Sequence, residues 1–369
     1  MTSSGPTAIV VGAGIVGAAC AEALAEAGCG VTVLEAAFAA SGATAAGMGH
    51  VVVMDDSEAQ FALTAVSRRL WSERALPPAC EDEACGTLWV AADEEELAHV
   101  HAKRAYYAER GVEAEVLDAL ALRDVEPLLR PGLVGALRVP GDRVIYPPAA
   151  ARLLLDGARR HGAVVHEGVP VDGLAPRRAR CGAQSFEADL VVNAAGAAAP
   201  RLTAGLPIIP RKGHLVITDR YPGLLRHQVV ELGYLKSAHA MTAESVAFNV
   251  QPRATGQLLV GSSRELVGWD PSINRPLRAR MLRRAAEYMP ALSGLRALRT
   301  WTGFRPATPD ALPLIGPWEA GLFVAAGHEG LGITTATATG RLIADLALGR
   351  PPLLDPAPYS PRRAMPAHA

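Results

Sequence analysis

The 369-residue chain lacks a dominant charge, a metal-spaced cysteine set and a long apolar run. Lys and Arg number 36 against 37 Asp and Glu, a net charge of −1. That balance offers no global attraction to nucleic acid or to an anionic membrane. The five cysteines (Cys20, Cys29, Cys80, Cys85, Cys181) show no metal-ligand spacing, and no metal site is expected. Cys80 and Cys85 lie close enough to pair, but the odd count favours free thiols. No stretch approaches the roughly 18 apolar residues of a membrane helix. The first residues lack the basic and apolar segments of a secretion signal, so a cytoplasmic location is the expectation. No internal repeat is visible, and no nucleophile–histidine–acid set stands out.

What is present begins at Ala8-Ile9-Val10-Val11-Gly12-Ala13-Gly14-Ile15-Val16-Gly17 and continues at Val31-Thr32-Val33-Leu34-Glu35. The order reads strand, glycine turn, helix, strand, acid. Gly12 suits a tight turn, Gly14 admits a pyrophosphate to the backbone, and Gly17 lets helix and strand pack closely. Ile15 and Val16 open the helix, whose first N–H groups and dipole favour phosphate. Glu35, followed by Ala36, is placed to accept hydrogen bonds from a ribose. The spacing predicts a dinucleotide-binding unit, and the acid disfavours a 2′-phosphate.

The rest of the chain sorts into two kinds of segment. Ser41-Gly42-Ala43-Thr44-Ala45-Ala46-Gly47-Met48-Gly49 is a run of small residues that lets backbone approach a flat ligand. Helices are expected over 93–110, 147–161, 274–288 and 334–348. Buried strands are expected at 164–166, 189–193 and 322–327. Alternating stretches at 215–230 and 246–260 predict antiparallel strands of a separate sheet. The expectation is therefore an α/β, mixed α+β chain. Its discontinuous dinucleotide domain comprises residues 1–77, 141–207 and 300–350. An inserted antiparallel cap comprises 78–140 and 208–299, and a Pro-rich, poorly ordered tail spans 351–369.

Three further segments carry a resemblance. They are Asp189 to Gly196, Gly303-Phe304-Arg305-Pro306-Ala307-Thr308-Pro309-Asp310 with Pro313-Leu314-Ile315-Gly316, and Gly327-His328-Glu329-Gly330-Leu331-Gly332-Ile333. Together with the N-terminal fingerprint, they resemble the D-amino-acid oxidase superfamily of FAD-dependent oxidoreductases over roughly residues 7 to 349. Ala45-Ala46-Gly47-Met48-Gly49-His50 resembles the glycine oxidase and D-hydroxyproline dehydrogenase branch in particular. The resemblance implies a glutathione-reductase-like Rossmann FAD domain with a β-sheet substrate cap. It also implies oxidation of a small amino acid or N-substituted amino acid by hydride transfer to flavin N5. The product is an imine that water hydrolyses, and oxygen or another acceptor takes the electrons.

Residue by residue, the implied FAD contacts are the glycine turn, Glu35, the Ser41 and Thr44–Met48 run, Val169 through backbone, Ala194, Ala195, Gly196 and Gly303. The loop Gly327 to Thr334 joins them, its N–H groups facing the flavin's pyrimidine edge. Arg305 stands among Trp301, Phe304 and Pro306. A guanidinium in such a stretch needs an anion, and two readings are a substrate carboxylate, which the resemblance implies, or an ion pair with Asp310. Asn249 and Ala247 occupy the positions where glycine oxidases carry a tyrosine and a histidine, so a substrate larger than glycine is expected. Tyr234 and His239 are candidates to refill that space. His50 either lines the pocket or is a satisfied structural residue, and Arg264 reads as an exposed strand-end arginine or a substrate contact.

The resemblance leaves several matters open. One is an N-carboxymethyl amine as the substrate. Outside the class stand a non-catalytic flavin subunit and an NAD-dependent dehydrogenase, the latter disfavoured by the C-terminal glycine loop. Oligomeric state is open as well. No cysteine adjoins Arg305, where monomeric sarcosine oxidases link their flavin, so FAD is expected to be non-covalent. Acid precipitation of the purified protein should release the yellow chromophore to the supernatant; colour retained in the pellet would refute this.

Overall fold

The computed structural model describes residues 5–233 and 244–365. Tyr234 and His239 lie outside the described residues.

Two sheets organise the chain. The first has six strands in the order Leu314–Glu319, Leu322–Ala326, Leu190–Asn193, Thr7–Val11, Gly30–Leu34, Val164–His166. All neighbours run parallel except Leu314–Glu319, which turns back against Leu322–Ala326. Ala8, Ile9, Val10 and Val11 are all buried, as a central parallel strand covered on both faces must be. Helices Ile15–Glu26, Pro147–Arg160 and Gly332–Ala347 pack together beside this sheet. The approach of the first and last is close: a Cβ on Gly340 would stand 2.3 Å from the Ala19 carbonyl oxygen.

The second sheet has eight strands in the order Ala297–Ala307, Ile209–Arg220, Gln257–Glu265, Glu244–Pro252, Gln228–Glu231, Thr87–Ala91, Gly135–Val139, Glu115–Asp118. It is antiparallel apart from one parallel pairing, in which Gln228 stands opposite Thr87. Helix Arg275–Tyr288 covers one face through Leu277, Met281, Ala285 and Tyr288. Phe248 and Tyr288 stack there at 4.9 Å. Asn274 caps that helix by accepting from the Leu277 N–H. The expected boundary at residue 300 falls inside the strand Ala297–Ala307, which belongs to this sheet. The helix expected over 93–110 spans Glu94–Glu109, capped by Asp93. It is not wholly a solvated face, because Val100, Lys103 and Tyr107 are buried. All five cysteines are free thiols.

The tail departs from expectation. Residues 351–365 dock on the body instead of leaving it. Tyr359 is 1% exposed, and its hydroxyl donates to the Ala59 carbonyl at 2.6 Å. Arg363 grips both oxygens of Asp310 at 2.7 and 2.8 Å. A Pro-rich composition signals low helix and sheet propensity, but one buried aromatic and one bidentate ion pair can still fix such a segment. Truncating a large buried aromatic typically costs about 3–5 kcal/mol. Tyr359→Ala should lower unfolding free energy by that amount, and Tyr359→Phe by about 1 kcal/mol for the lost hydrogen bond. Denaturant midpoints for both variants check this; unchanged midpoints would mean the tail is not anchored.

Candidate active site

The glycine turn has the geometry its spacing predicts. Gly12 holds φ at +104°, a conformation side chains disfavour, and its N–H donates to the Leu34 carbonyl. A Cβ on Gly17 would lie 2.0 Å from the Gly12 oxygen. The helix starting at Ile15 therefore rests directly on the turn, and its first N–H groups lack partners within the helix. Thr44 closes over this end, its hydroxyl accepting from the Ile15 N–H at 2.9 Å.

Glu35 is 9% exposed at the end of its strand. One carboxylate oxygen accepts from Ala13 N–H at 2.7 Å and the other from Ala37 N–H at 2.8 Å. The acid thus braces the glycine turn, and each oxygen keeps a further acceptor position. Val169 lies alongside, its N–H donating to the Glu35 carbonyl. Ala194 borders Gly12: its oxygen would be 2.6 Å from a Cβ there.

Segments distant in sequence meet over this unit. A Cβ on Gly47 would touch Ile333, and one on Gly303 would sit 2.5 Å from Ala46 Cβ. Trp301 Nε1 donates to the Ala46 carbonyl, Gln251 Nε2 to the Met48 carbonyl, and Thr334 Oγ1 to the His50 carbonyl. The small-residue run thus lies between the cap sheet and the start of helix Gly332–Ala347. Bare backbone, helix N-termini and a buried carboxylate fit a flat dinucleotide with a pyrophosphate and a ribose diol. These residues fit FAD.

A cavity, partly open to solvent, adjoins this region. Its lining includes His50, Trp89, Gln228, Asn249, Arg264 and the loop His328–Leu331. His50 and Asn249 are therefore brought to one cavity as the sequence suggested. The Asn249 Oδ1 and His50 Nε2 atoms are buried without a hydrogen-bond partner among the described residues. Burial pushes the His50 imidazole down to about 4 and that of His328 down to about 3. Both rings are neutral near pH 7, and His328 Nε2 is bonded to Thr339 Oγ1.

Arg305 is half-buried and is not among the lining residues. Its guanidinium lies over Gly213, where a Cβ would be 2.2 Å from Nη1, and Nη1 donates to the Ser263 carbonyl. Its Nε passes 4.0 Å from the Cβ position of Gly330, which lines the cavity. The alternative partner, Asp310, is engaged by Arg363. Arg264 requires a correction: it is 3% exposed and lines the cavity, because its strand is interior to the sheet and covered there.

Sequence reading missed Gln228, Thr87 and Asp142. Asp142 is fully buried and accepts from Arg68 Nη1 at 3.1 Å, Val53 N–H at 3.3 Å and Thr87 Oγ1 at 2.6 Å. Since the Thr87 hydroxyl donates to Asp142, its oxygen is the acceptor for Gln228 Nε2. The Gln228 Oε1 atom is left in the cavity wall without a hydrogen-bond partner among the described residues. No local motif marks this relay, which joins two strands and the turn that holds Asp142.

The chain is matched over residues 7–346 by a family model described as FAD dependent oxidoreductase. It is 29% identical over 382 residues to a glycine oxidase of Pseudomonas aeruginosa, covering 96% of this chain and 98% of that protein. It is 33% identical over 303 residues to a D-amino acid dehydrogenase of Xanthobacter autotrophicus, covering 77% and 68%. The fold superposes on a glycine oxidase crystal structure from Geobacillus kaustophilus with a TM-score of 0.87 and 27% identity, covering 98% of this chain and all of that one. No helix among the described residues is long and apolar enough to cross a membrane.

Burial raises the Asp142 carboxyl from 3.8 to about 6, despite Arg68. The folded chain then holds a proton that the unfolded chain has released between pH 4 and 6. Stability from this group falls as pH rises through that window, by at most about 1.4 kcal/mol per pH unit. The Tm of the wild type minus that of Asp142→Asn should therefore decrease from pH 4 to pH 6.5. A difference that is flat or grows would contradict the burial account.

Proposed function

The chain belongs to the FAD dependent oxidoreductase family, and from that premise we propose that it oxidises the C–N bond of a small carboxylate-bearing amine. The substrate class is an amino acid or an N-substituted amino acid, and the product is an imine that water hydrolyses. The observation that carries the reading is the cavity. It lies between the cap sheet and the loop opening helix Gly332–Ala347, and its wall holds the buried Arg264 guanidinium and two amide oxygens, Gln228 Oε1 and Asn249 Oδ1, without a hydrogen-bond partner among the described residues. Relatives named glycine oxidase and D-amino acid dehydrogenase support the same chemistry.

In this reading the glycine turn and the Ile15 helix end hold the pyrophosphate, and Glu35 holds the ribose. The loop Gly327–Thr334 presents N–H groups to the ring system, where fixed donors stabilise developing negative charge. Bound FAD supplies the two-electron acceptor for hydride. Arg305 anchors the substrate carboxylate through a planar two-point grip, which a lysine reproduces poorly. Gly213 leaves the room its guanidinium occupies. Asn249 and Gln228 accept from the amine N–H, which orients the nitrogen. The neutral rings of His50 and His328 add no charge to the wall, so a neutral amine meets no repelling or competing cation from them. The amine proton leaves to solvent through the open side of the cavity. Geometry and exclusion of water supply most of the acceleration.

Removing one partner of a buried ion pair typically costs about 3–5 kcal/mol. Arg305→Ala should therefore lower the efficiency of anaerobic flavin reduction by about a hundredfold to a few thousandfold. Arg305→Lys should fall between, and FAD content should stay close to that of the wild type. Near-normal reduction of the alanine variant by a carboxylated amine would remove Arg305 from the site.

A further inference from the structure

One wall of the cavity is a face of the cap sheet, and its polar end is set from behind. Gln228 stands in register with Thr87, and Val230 with both Trp89 and Asn249. Side chains alternate along a strand, so Thr87 and Trp89, Gln228 and Val230, and Asn249 share the face that lines the cavity. Gln228 is 1% exposed and Asn249 5%. Their side-chain oxygens, Gln228 Oε1 and Asn249 Oδ1, have no hydrogen-bond partner among the described residues.

The direction of each hydrogen bond behind this wall follows from one carboxylate. Burial lifts the Asp142 carboxyl to about 6, so at pH 8 it is ionised and only accepts. Its Oδ1 takes the Arg68 guanidinium at 3.1 Å and the Val53 N–H at 3.3 Å. Its Oδ2 takes the Thr87 hydroxyl proton at 2.6 Å. Thr87 Oγ1 has then given away its one proton and is left as an acceptor. The group that meets it from Gln228 must therefore be the NH2 end of the amide. With the donor end held at Thr87, the acceptor end is held at the cavity. An amide turned the other way would set its oxygen against the Thr87 oxygen with no proton between them.

We propose that Asp142 and Thr87 are positioning residues that fix the polarity of Gln228, so that the pocket takes an atom bearing hydrogen, an amine nitrogen, and rejects an isosteric atom that only accepts. The proposal rests on the amine-oxidation reading and adds the discrimination made at the reacting nitrogen. The same relay can be reversed by one substitution. In Asp142→Asn the amide oxygen suits the Oδ1 position, toward which two donors already point, and the NH2 falls at the Oδ2 position. It then donates to Thr87 Oγ1, and the hydroxyl proton turns to Gln228. The Gln228 amide must now offer Oε1 to Thr87 and Nε2 to the cavity. A change of one heavy atom, with no change of shape, thus converts an acceptor into a donor at this point of the wall.

The test uses the FAD-loaded enzyme at pH 8 and two readouts that a merely structural loss would worsen together. One is the efficiency of anaerobic flavin reduction by the best of glycine, sarcosine, D-alanine and D-proline. The other is the Kd of methoxyacetate, followed by perturbation of the flavin spectrum. Its ether oxygen accepts and cannot donate. In Asp142→Asn, reduction efficiency should fall by about tenfold to a hundredfold while methoxyacetate binds about tenfold more tightly. Thr87→Val frees the amide to turn, so both readouts should move in the same senses by smaller factors. Thr87→Ser keeps the hydroxyl and should match the wild type. Thr87→Val leaves the Arg68 contact of Asp142 in place, and it decides the matter where Asp142→Asn does not fold. Methoxyacetate binding that weakens or stays level in both Asp142→Asn and Thr87→Val overturns the relay and leaves amine oxidation standing. Tighter methoxyacetate binding in these variants, with no reduction of the wild-type flavin by any of the four amines, supports the relay and instead overturns amine oxidation.

Discussion

Backbone contact at the glycine turn is the constraint on which the arrangement depends. Gly17 presses on the Gly12 oxygen, and Gly340 on the Ala19 oxygen, at distances no Cβ would permit. These two approaches bring helices Ile15–Glu26 and Gly332–Ala347 together beside the six-stranded sheet. Because the second helix is drawn in so far, the loop before it, His328–Leu331, reaches the cap sheet. The carboxylate of Glu35 then braces the turn from the opposite side through the Ala13 and Ala37 N–H groups. Close packing of bare backbone thus positions both helix N-termini and the loop that borders the cavity.

Charge is distributed by the same logic of proximity. Glu329 enters from the loop and Arg211 from the sheet, so their contact ties the two sheets' regions together at the cavity. Arg305 reaches across the strand Ile209–Arg220 only because residue 213 has no side chain. Asp142 plays a comparable part on the other wall, where it holds Val53, Arg68 and Thr87 at once. Its burial raises its pKa, yet its three donors make it the hub that orients Gln228. The cavity is therefore lined by side chains whose directions are set from behind, the condition under which polar groups can discriminate between ligands.

Much of the frame was legible in the sequence, for physical reasons that differ by element. The run Ala8 to Val11 reads as a buried strand because a central parallel strand must be apolar on both faces. The glycine spacing and Glu35 are readable because a tight turn, a helix start and a ribose acceptor impose residue types at fixed local distances. Helix Arg275–Tyr288 is announced by its amphipathic period. Asn249 and His50 entered as candidates through a resemblance, and they do share a cavity. Local composition misled in two places. Proline content in the tail said nothing of Tyr359 finding a slot beside Ala59, and the end of a strand said nothing of Arg264 being covered.

By itself, then, the sequence determined everything that depends on neighbours a few residues apart: turn, helix starts, strand periodicity and the dinucleotide fingerprint. Only the tertiary structure decided what depends on separation in space across long loops. The pairing of Gln228 with Thr87, the placement of Asp142 behind them, the approach of Arg211 and Arg264 to Glu329, and the diversion of Asp310 to Arg363 are all of this kind. An arginine or an aspartate reads the same in a sequence whether it meets water or an opposing charge. Burial and partner are properties of the packed chain, and they are what turn such a residue into part of a binding site.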